Sequence, residues 1–141
     1  MNIEVTLTPS QSDLATISEG IKSFNSEYLS EEVVSEPDTK FAAFVRNENG
    51  VILGGIRATA FWNYCLIELL WLSESYRGSG IGSGLINAAE SFARAKGYEN
   101  MRIETLSFQA KPFYEKLGYK VFGELPDYPK GHTTYCLVKK L

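Results

Sequence analysis

An apolar run that breaks into a glycine-rich turn and reopens as an amphipathic segment leaves a chain few folding options. Residues 67–97 read IELLWL, then SESYRGSGIGSG, then LINAAESFARAKG. The pattern predicts a strand, a loop and the start of a helix. The first amides of a helix have no partner inside it, and the aligned peptide dipoles place partial positive charge there. Such an end holds anions. Gly78, Gly80, Gly82 and Gly84 permit close backbone approach and unusual dihedrals. Arg77 adds a fixed charge with a forked donor geometry suited to phosphate. The residues therefore predict a cofactor bearing a diphosphate, seated on the amides of residues 78–83.

Spacing narrows the choice of cofactor. The loop ends Gly82-Ser83-Gly84 without the lysine of a Walker A loop. A G-x-G-x-x-G fingerprint fails as well, because its third glycine would fall on Ser83 or Leu85. The pattern that fits is R-x-x-G-x-G, as Arg77, Gly80 and Gly82. It resembles the acyl-CoA loop of the GCN5-related N-acetyltransferase (GNAT) family. A solvated glycine turn leading into a helix is the plainer alternative for the loop alone.

The rest of the chain predicts an α/β fold. NIEVTL (2–7) alternates as a short strand, and Pro9 ends it. Leu14, Ile17, Ile21 and Phe24 form a helical stripe that closes near Asn25, with Ser10 or Ser12 as cap. SEYLSEEVVSEPDTK (26–40) is acidic and is read either as a solvated connector or as a lip attracting a cation. FAAFVR (41–46), VILGGIRATAF (51–61) and YCLIELLWL (64–72) form a meander, with Asn49-Gly50 and Trp62-Asn63 as turns. Gly54-Gly55 predicts a bulge or a close backbone approach.

Beyond the loop, Leu85, Ile86, Ala89, Phe92 and Ala93 share one helix stripe. Asn87, Glu90, Ser91 and Arg94 occupy the other side, and Gly97 closes the helix. MRIETL (101–106) is predicted parallel to 64–72, since a helix crosses between them. A short helix over 109–117, with Pro112 in its first turn, and strands at 119–123 and 133–141 complete the chain.

This order resembles the GNAT fold over nearly the whole chain. Two motifs agree: IELLWLSESYRGSGIGSGLI, and AKPFYEKLGYKVFGE (110–124), which is similar to the family's A-x-x-F-Y-x-x-x-G-F/Y segment. The expectation is one domain, 1–141, with a mixed sheet of about six to seven strands flanked by helices in the acyl-CoA N-acyltransferase (GNAT) fold. The family often carries Asn three positions before the alanine of the second motif, and this chain has Ser107 there.

The resemblance implies acetyl-CoA as co-substrate, with no metal, and direct transfer of the acetyl group to a primary amine of a small molecule or peptide. It implies pantetheine lying along the end of strand 64–72, bonded by backbone near Leu70, Trp71 and Leu72. The cofactor set it implies is those three residues with Arg77, Gly78, Ser79, Gly80, Ile81, Gly82, Ser83, Ser107 and Tyr114. By resemblance, Tyr114 points at the coenzyme sulfur as general acid; packing on Phe113 is its plainer reading. Glu68 is read as base or amine anchor. On a regular strand it shares a face with Tyr64, Leu66, Leu70 and Leu72, and apolar neighbours would raise its pKa. A bulge would break that parity, and pairing with Arg57 is the structural alternative. Asp127, Tyr128, His132, Trp62, Tyr64 and Trp71 are weaker candidates for the acceptor pocket.

Composition bounds the partners. The net charge of −3 and pI of about 5.2 argue against broad nucleic-acid binding, which needs a basic face. Cys65 and Cys136 lack metal spacing and are each read as buried thiols in a reducing compartment. No apolar run approaches a membrane span, so a cytoplasmic protein without membrane partners is expected. Homodimers are frequent in the family, which makes a second copy an expected partner. A non-catalytic acyl-CoA-binding module or sensor is the alternative to an enzyme.

Overall fold

The structure is a computed structural model describing residues 1–141. The chain divides into two compact units, Met1–Glu36 and Pro37–Leu141. The first holds α1 (Gln11–Asn25) and α2 (Glu31–Ser35). Ser10 caps α1 by accepting the Asp13 N–H at 3.0 Å, and Ser30 caps α2 by accepting that of Val33 at 3.3 Å. The predicted strand at 2–7 does not form. Alternation states a preference that only a ladder realises, and these six residues join none. No helix is long and apolar enough to cross a membrane.

The second unit is one sheet with helices. Its strands are β1 (Thr39–Arg46), β2 (Ile52–Phe61), β3 (Tyr64–Leu72), β4 (Asn100–Leu106), β5 (Lys120–Pro126) and β6 (Thr133–Lys140). They lie in the order β1-β2-β3-β4-β6-β5. All neighbours are antiparallel except β3 and β4, whose parallel pairing requires the crossover that α3 (Ile81–Ala95) supplies. The six-residue helix α4 (Lys111–Lys116) leads from β4 towards β5 and is shorter than predicted. Strand β5 runs further than its sequence pattern, through Pro126, which an edge strand tolerates.

Ile56, Ala58 and Ala60 of β2, Cys65 and Ile67 of β3, Met101 and Ile103 of β4 and Leu137 of β6 form the buried face of the sheet. Leu85, Ile86, Ala89 and Ala93 of α3 pack on it, with Tyr114 and Tyr119 at its end. Gly54 and Gly55 are places of close approach: a Cβ on Gly55 would lie 2.7 Å from the Ala43 carbonyl oxygen. Cys65 is buried as expected, whereas Cys136 is only half-buried because it lies on the other face of β6.

Two irregularities matter for function. The β2–β3 register shifts between Arg57 and Ala58, so Arg57 faces Leu69 while Ala58 faces Ile67. Glu68 is the extra residue of this bulge, and side chains beyond it change face. Leu70 and Leu72 join the core with Cys65 and Ile67, while Leu69 and Trp71 are exposed. The second irregularity is that β3 and β4 pair only from Tyr64–Asn100 to Ile67–Ile103. Both strands continue beyond that point without each other.

Candidate active site

The glycine loop builds a cradle of free donors. After β3, Glu74–Tyr76 makes one 3-10 turn. Ser79 Oγ donates to the Tyr76 carbonyl at 2.6 Å, and Arg77 Nε donates to the Leu72 carbonyl at 3.1 Å. Gly78 and Gly80 take φ of +74° and +85°, a left-handed conformation that glycine adopts freely. Gly80 is the N-cap of α3 and no side chain caps it. The first bond of the helix end is Gly84 N–H to Gly80 O at 3.0 Å. The N–H groups of residues 78–83 have no acceptor within the chain. A cavity of about 460 Å³ adjoins them, lined by Leu70, Leu72, Arg77, Gly78, Gly80, Gly82, Ser83, Ala110 and Phe113. No carboxylate lines it, so Arg77 and the helix dipole set its charge. Ser79 and Ile81 offer main chain only: the first turns its hydroxyl to Tyr76 and the second packs on the core.

The cradle continues into the opening between β3 and β4. A cleft of about 430 Å³ fills this opening, and shares Leu70, Leu72, Arg77 and Ala110 with the cradle. Glu68, Leu69 and Trp71 line it from β3, Glu104 and Thr105 from β4, and Phe108, Gln109 and Tyr114 from the segment that follows. Residues 68–72 of β3 face no strand on this side, so an extended ligand finds an open strand edge in the middle of a sheet. Sequence periodicity identified β3 and β4, but strand divergence leaves no periodic trace, so Glu104, Thr105, Phe108 and Gln109 were not anticipated.

Tyr114 stands in the wall of this cleft. It is 6% exposed, and burial alone pushes its phenol up to about 12. Its ring meets Phe113 edge-on at 5.1 Å and Tyr119 edge-on at 6.0 Å. Packing on Phe113 and facing the cleft are therefore compatible.

Glu68 departs from the regular-strand expectation. The bulge turns its carboxylate towards Arg57 and Thr59 rather than an apolar wall. The Thr59 hydroxyl donates to Oε1, and Arg57 Nε donates to Oε2 at 3.0 Å. Its pKa is lowered, first by the Thr59 hydrogen bond, with Arg57 and Lys40 adding to it against partial desolvation. The raised pKa expected from apolar neighbours is overturned, and the carboxyl stays ionised.

Trp71 lines the cleft, but Ser107 does not. Ser107 Oγ accepts the Thr133 N–H at 3.2 Å, and its own N–H donates to the Thr133 carbonyl at 2.8 Å, tying β4 to β6. Trp62 and Tyr64 line a separate depression of about 640 Å³ with Phe61 and Arg102, at the opposite end of β3. Asp127 accepts the Gly131 N–H at 2.8 Å and closes its own loop. His132 meets the Phe108 ring edge-on at 4.8 Å. Asp127, Tyr128 and His132 do not line the cleft.

Comparison with known proteins decides the class. The Acetyltransferase (GNAT) family model matches residues 11–119. The chain belongs to this family. This acetyltransferase is 38% identical over 108 residues to blasticidin-S acetyltransferase of Streptomyces morookaense, covering 76% of this chain and 79% of that one. Its structure is similar to that of an acetyltransferase from Bacillus cereus, with a TM-score of 0.85 at 33% identity over 98% of both chains. It shares its fold with a Bacillus anthracis chain assigned as a streptothricin acetyltransferase and solved with acetyl coenzyme A. That likeness has a TM-score of 0.66 at 22% identity, over 82% of this chain and 69% of that one. The expected fold, acetyltransferase activity and co-substrate are borne out: the protein transfers an acetyl group from acetyl-CoA to an amine.

Proposed function

We propose that this acetyltransferase modifies a small-molecule amine bearing positive charge, by direct transfer in the cleft between β3 and β4. The observation that carries the reading is the continuity of that cleft with the cradle of free amides at 78–83. The cradle fits the coenzyme, having unpaired donors, Arg77 and no opposing carboxylate. Bound acetyl-CoA supplies an acetyl group already activated as a thioester.

The chain's own residues do the rest. Amides 78–83 and Arg77 hold the diphosphate charge. Along the open edge at Leu70, Trp71 and Leu72, the N–H groups that β2 does not engage are donors for the pantetheine amides and for a carbonyl developing negative charge. Tyr114 holds a proton at its hydroxyl throughout the neutral range and gives it to the sulfur as the carbon–sulfur bond breaks. A thiolate leaves as a base of pKa about 8.5 in water. The dry wall that raises Tyr114 also raises the basicity of the sulfur, so donation is timed by bond breaking. Glu68, ionised and fixed by Arg57 and Thr59, anchors the acceptor's ammonium while the amine's proton leaves to solvent. Ser107 acts only by shaping the end of β4.

The acceptor class rests on two supports. Relatives are named for blasticidin S and, at 27% identity over 73% of this chain, for streptothricin in an Escherichia coli enzyme. The cleft also places Glu68 and Glu104 among Leu69, Trp71 and Phe108. We further read residues 1–141 as one catalytic domain, since the family match runs through both compact units.

The test is thiol release from acetyl-CoA with blasticidin S, streptothricin, aminoglycosides, polyamines and N-terminal peptides. Turnover restricted to peptides would overturn the small-molecule reading. Tyr114→Phe should lower kcat about ten- to a thousandfold with acetyl-CoA affinity intact. Unchanged turnover would remove Tyr114 from the chemistry.

A further inference from the structure

The helix that carries Tyr114 is too short to fix it. Helix α4 has six residues, no side-chain cap at its start and Gly118 at φ +96° just past its end. Isolated turns of that length are unstable, so the direction of the Tyr114 hydroxyl is set by what packs against it. On one side this is Phe113, beside Gly82 of the cradle. On the other it is the ring of Tyr119. The Tyr114 carbonyl also accepts the Tyr119 N–H at 3.1 Å.

Tyr119 is itself anchored by charge. It is 2% exposed, and its hydroxyl donates to Glu90 Oε1 at 3.1 Å. Glu90 is 3% exposed in the middle of α3, the helix whose first turn forms the cradle. Lys139 Nζ of β6 donates to both Glu90 oxygens, at 2.9 and 3.0 Å, and Arg94 approaches Oε2 at 3.8 Å. A buried ion pair seldom adds net stability over apolar packing, but its directional bonds fix geometry. Here the fixed geometry runs from the coenzyme helix, through Glu90 and Tyr119, to Tyr114.

We propose that Tyr119, held by the Glu90–Lys139 pair, is a positioning residue for acetyl transfer: it sets Tyr114 against the cleft and couples it to the helix that bears the coenzyme cradle. The inference rests on the proposed role of Tyr114 as proton donor. No hydrogen bond runs directly from α3 to α4, and Tyr119, just beyond α4, bridges them through its hydroxyl on Glu90 and its N–H on the Tyr114 carbonyl, so the Tyr119 hydroxyl is the point at which the link breaks. Phenylalanine keeps the ring and its edge contact, and leaves Glu90 paired with Lys139. What it loses is the bond that stops the ring from shifting along α3.

The experiment is steady-state kinetics on the full chain, using acetyl-CoA and the fastest amine of the panel above, for Tyr119→Phe, Tyr114→Phe and the double variant. Tyr119→Phe is expected to lower kcat about tenfold while both KM values stay within about twofold. The double variant is expected to match Tyr114→Phe alone, because positioning has no effect once the positioned hydroxyl is gone. Glu90→Gln keeps an acceptor for Tyr119 and is the second variant, with a smaller fall in kcat in the same direction. A merely structural role would lower thermal stability without splitting kcat from KM. If Tyr114→Phe lowers turnover and Tyr119→Phe does not, the proposal is overturned and the proton-donor reading stands. If the two losses multiply in the double variant, Tyr119 acts by another route and the proposal is again overturned. If Tyr114→Phe leaves turnover unchanged, the donor reading fails and takes this inference with it.

Discussion

Gly80 and Gly84 make a paired test of how the cradle is built. A Cβ on either would meet nothing within 4 Å, so steric clash is absent from both substitutions. They differ in backbone conformation alone: Gly80 sits at φ +85°, whereas Gly84 lies on the exposed face of a regular helix. Holding alanine in the left-handed region costs roughly 1–2 kcal/mol, offset in part by the ~0.4–1 kcal/mol it removes from unfolded-chain entropy. Alanine inside a helix gains roughly 0.5–1 kcal/mol over glycine. Gly80→Ala should therefore lower the melting temperature by a few degrees, and Gly84→Ala should raise it by about as much, at roughly 3–5 °C per kcal/mol for a chain of this size. Coenzyme affinity should separate them further. If Gly80→Ala relaxes towards negative φ, the amides of residues 81–83 turn from a common point. Losing one hydrogen bond to a charged group, about 1.5–3 kcal/mol, weakens acetyl-CoA roughly ten- to a hundredfold. The Gly84 N–H is already engaged by Gly80 O, so its substitution should leave affinity unchanged. Thermal melts with and without coenzyme A, together with calorimetric titration, read both effects. Equal melting temperatures and equal affinities would show that the left-handed turn does not aim the amides.

Three further outcomes are expected. Glu68→Gln should raise the amine KM about tenfold with that of acetyl-CoA unchanged; since the carboxyl is held below its ordinary range, the wild-type amine KM should show no titration inside that range, and a change there would count against the anchoring role. Burial lifts Cys65 from 9.0 to about 11 and Tyr114 from 10.0 to about 12, so the unfolded chain loses these protons first. Stability should then fall as pH rises through that window, by about 1.4 kcal/mol per pH unit for each group while it is between its two values. A flat series of urea melts from about pH 8 to about pH 11 would contradict the burial of both. Lys139→Met should cost about 3 kcal/mol in urea denaturation, because it strips the main cation from a buried carboxylate. Replacing Glu90 by leucine and Tyr119 by phenylalanine in the same chain, which removes the carboxylate and its buried donor together, should recover most of that loss, and no recovery would assign the cost to Lys139 packing instead.

The site was legible where the chemistry is local and obscure where it depends on distant partners. The free amides follow from glycines and helix position alone, so the cradle could be read from Arg77 to Ser83. The tyrosine of the family motif, Tyr114, lies in the wall of the cleft. Glu68 did not follow from strand parity, because the bulge beside it reverses the faces and leaves no mark in an apolar run. Its partnership with Arg57 was readable only as an alternative. Glu90 was assigned to the polar side of α3 by its spacing to Arg94, yet it is buried. The signal for that lay in Tyr119 and Lys139, each far along the chain and each unremarkable in its own segment. Residues 2–7 have strand alternation, but alternation names no partner.

The parting of β3 from β4 after Ile67 leaves the sheet as two ribbons stitched by four residue pairs, Tyr64 to Ile67 against Asn100 to Ile103. One ribbon, β1-β2-β3, carries Glu68; the other, β4-β6-β5, leads into the tyrosine. A cofactor lying in the seam would rivet them together, so loading the enzyme would also stiffen it. Of residues 68–72, the amides that do not pair with β2 should exchange with solvent quickly in the empty protein, despite their central place, and slowly once the seam is filled.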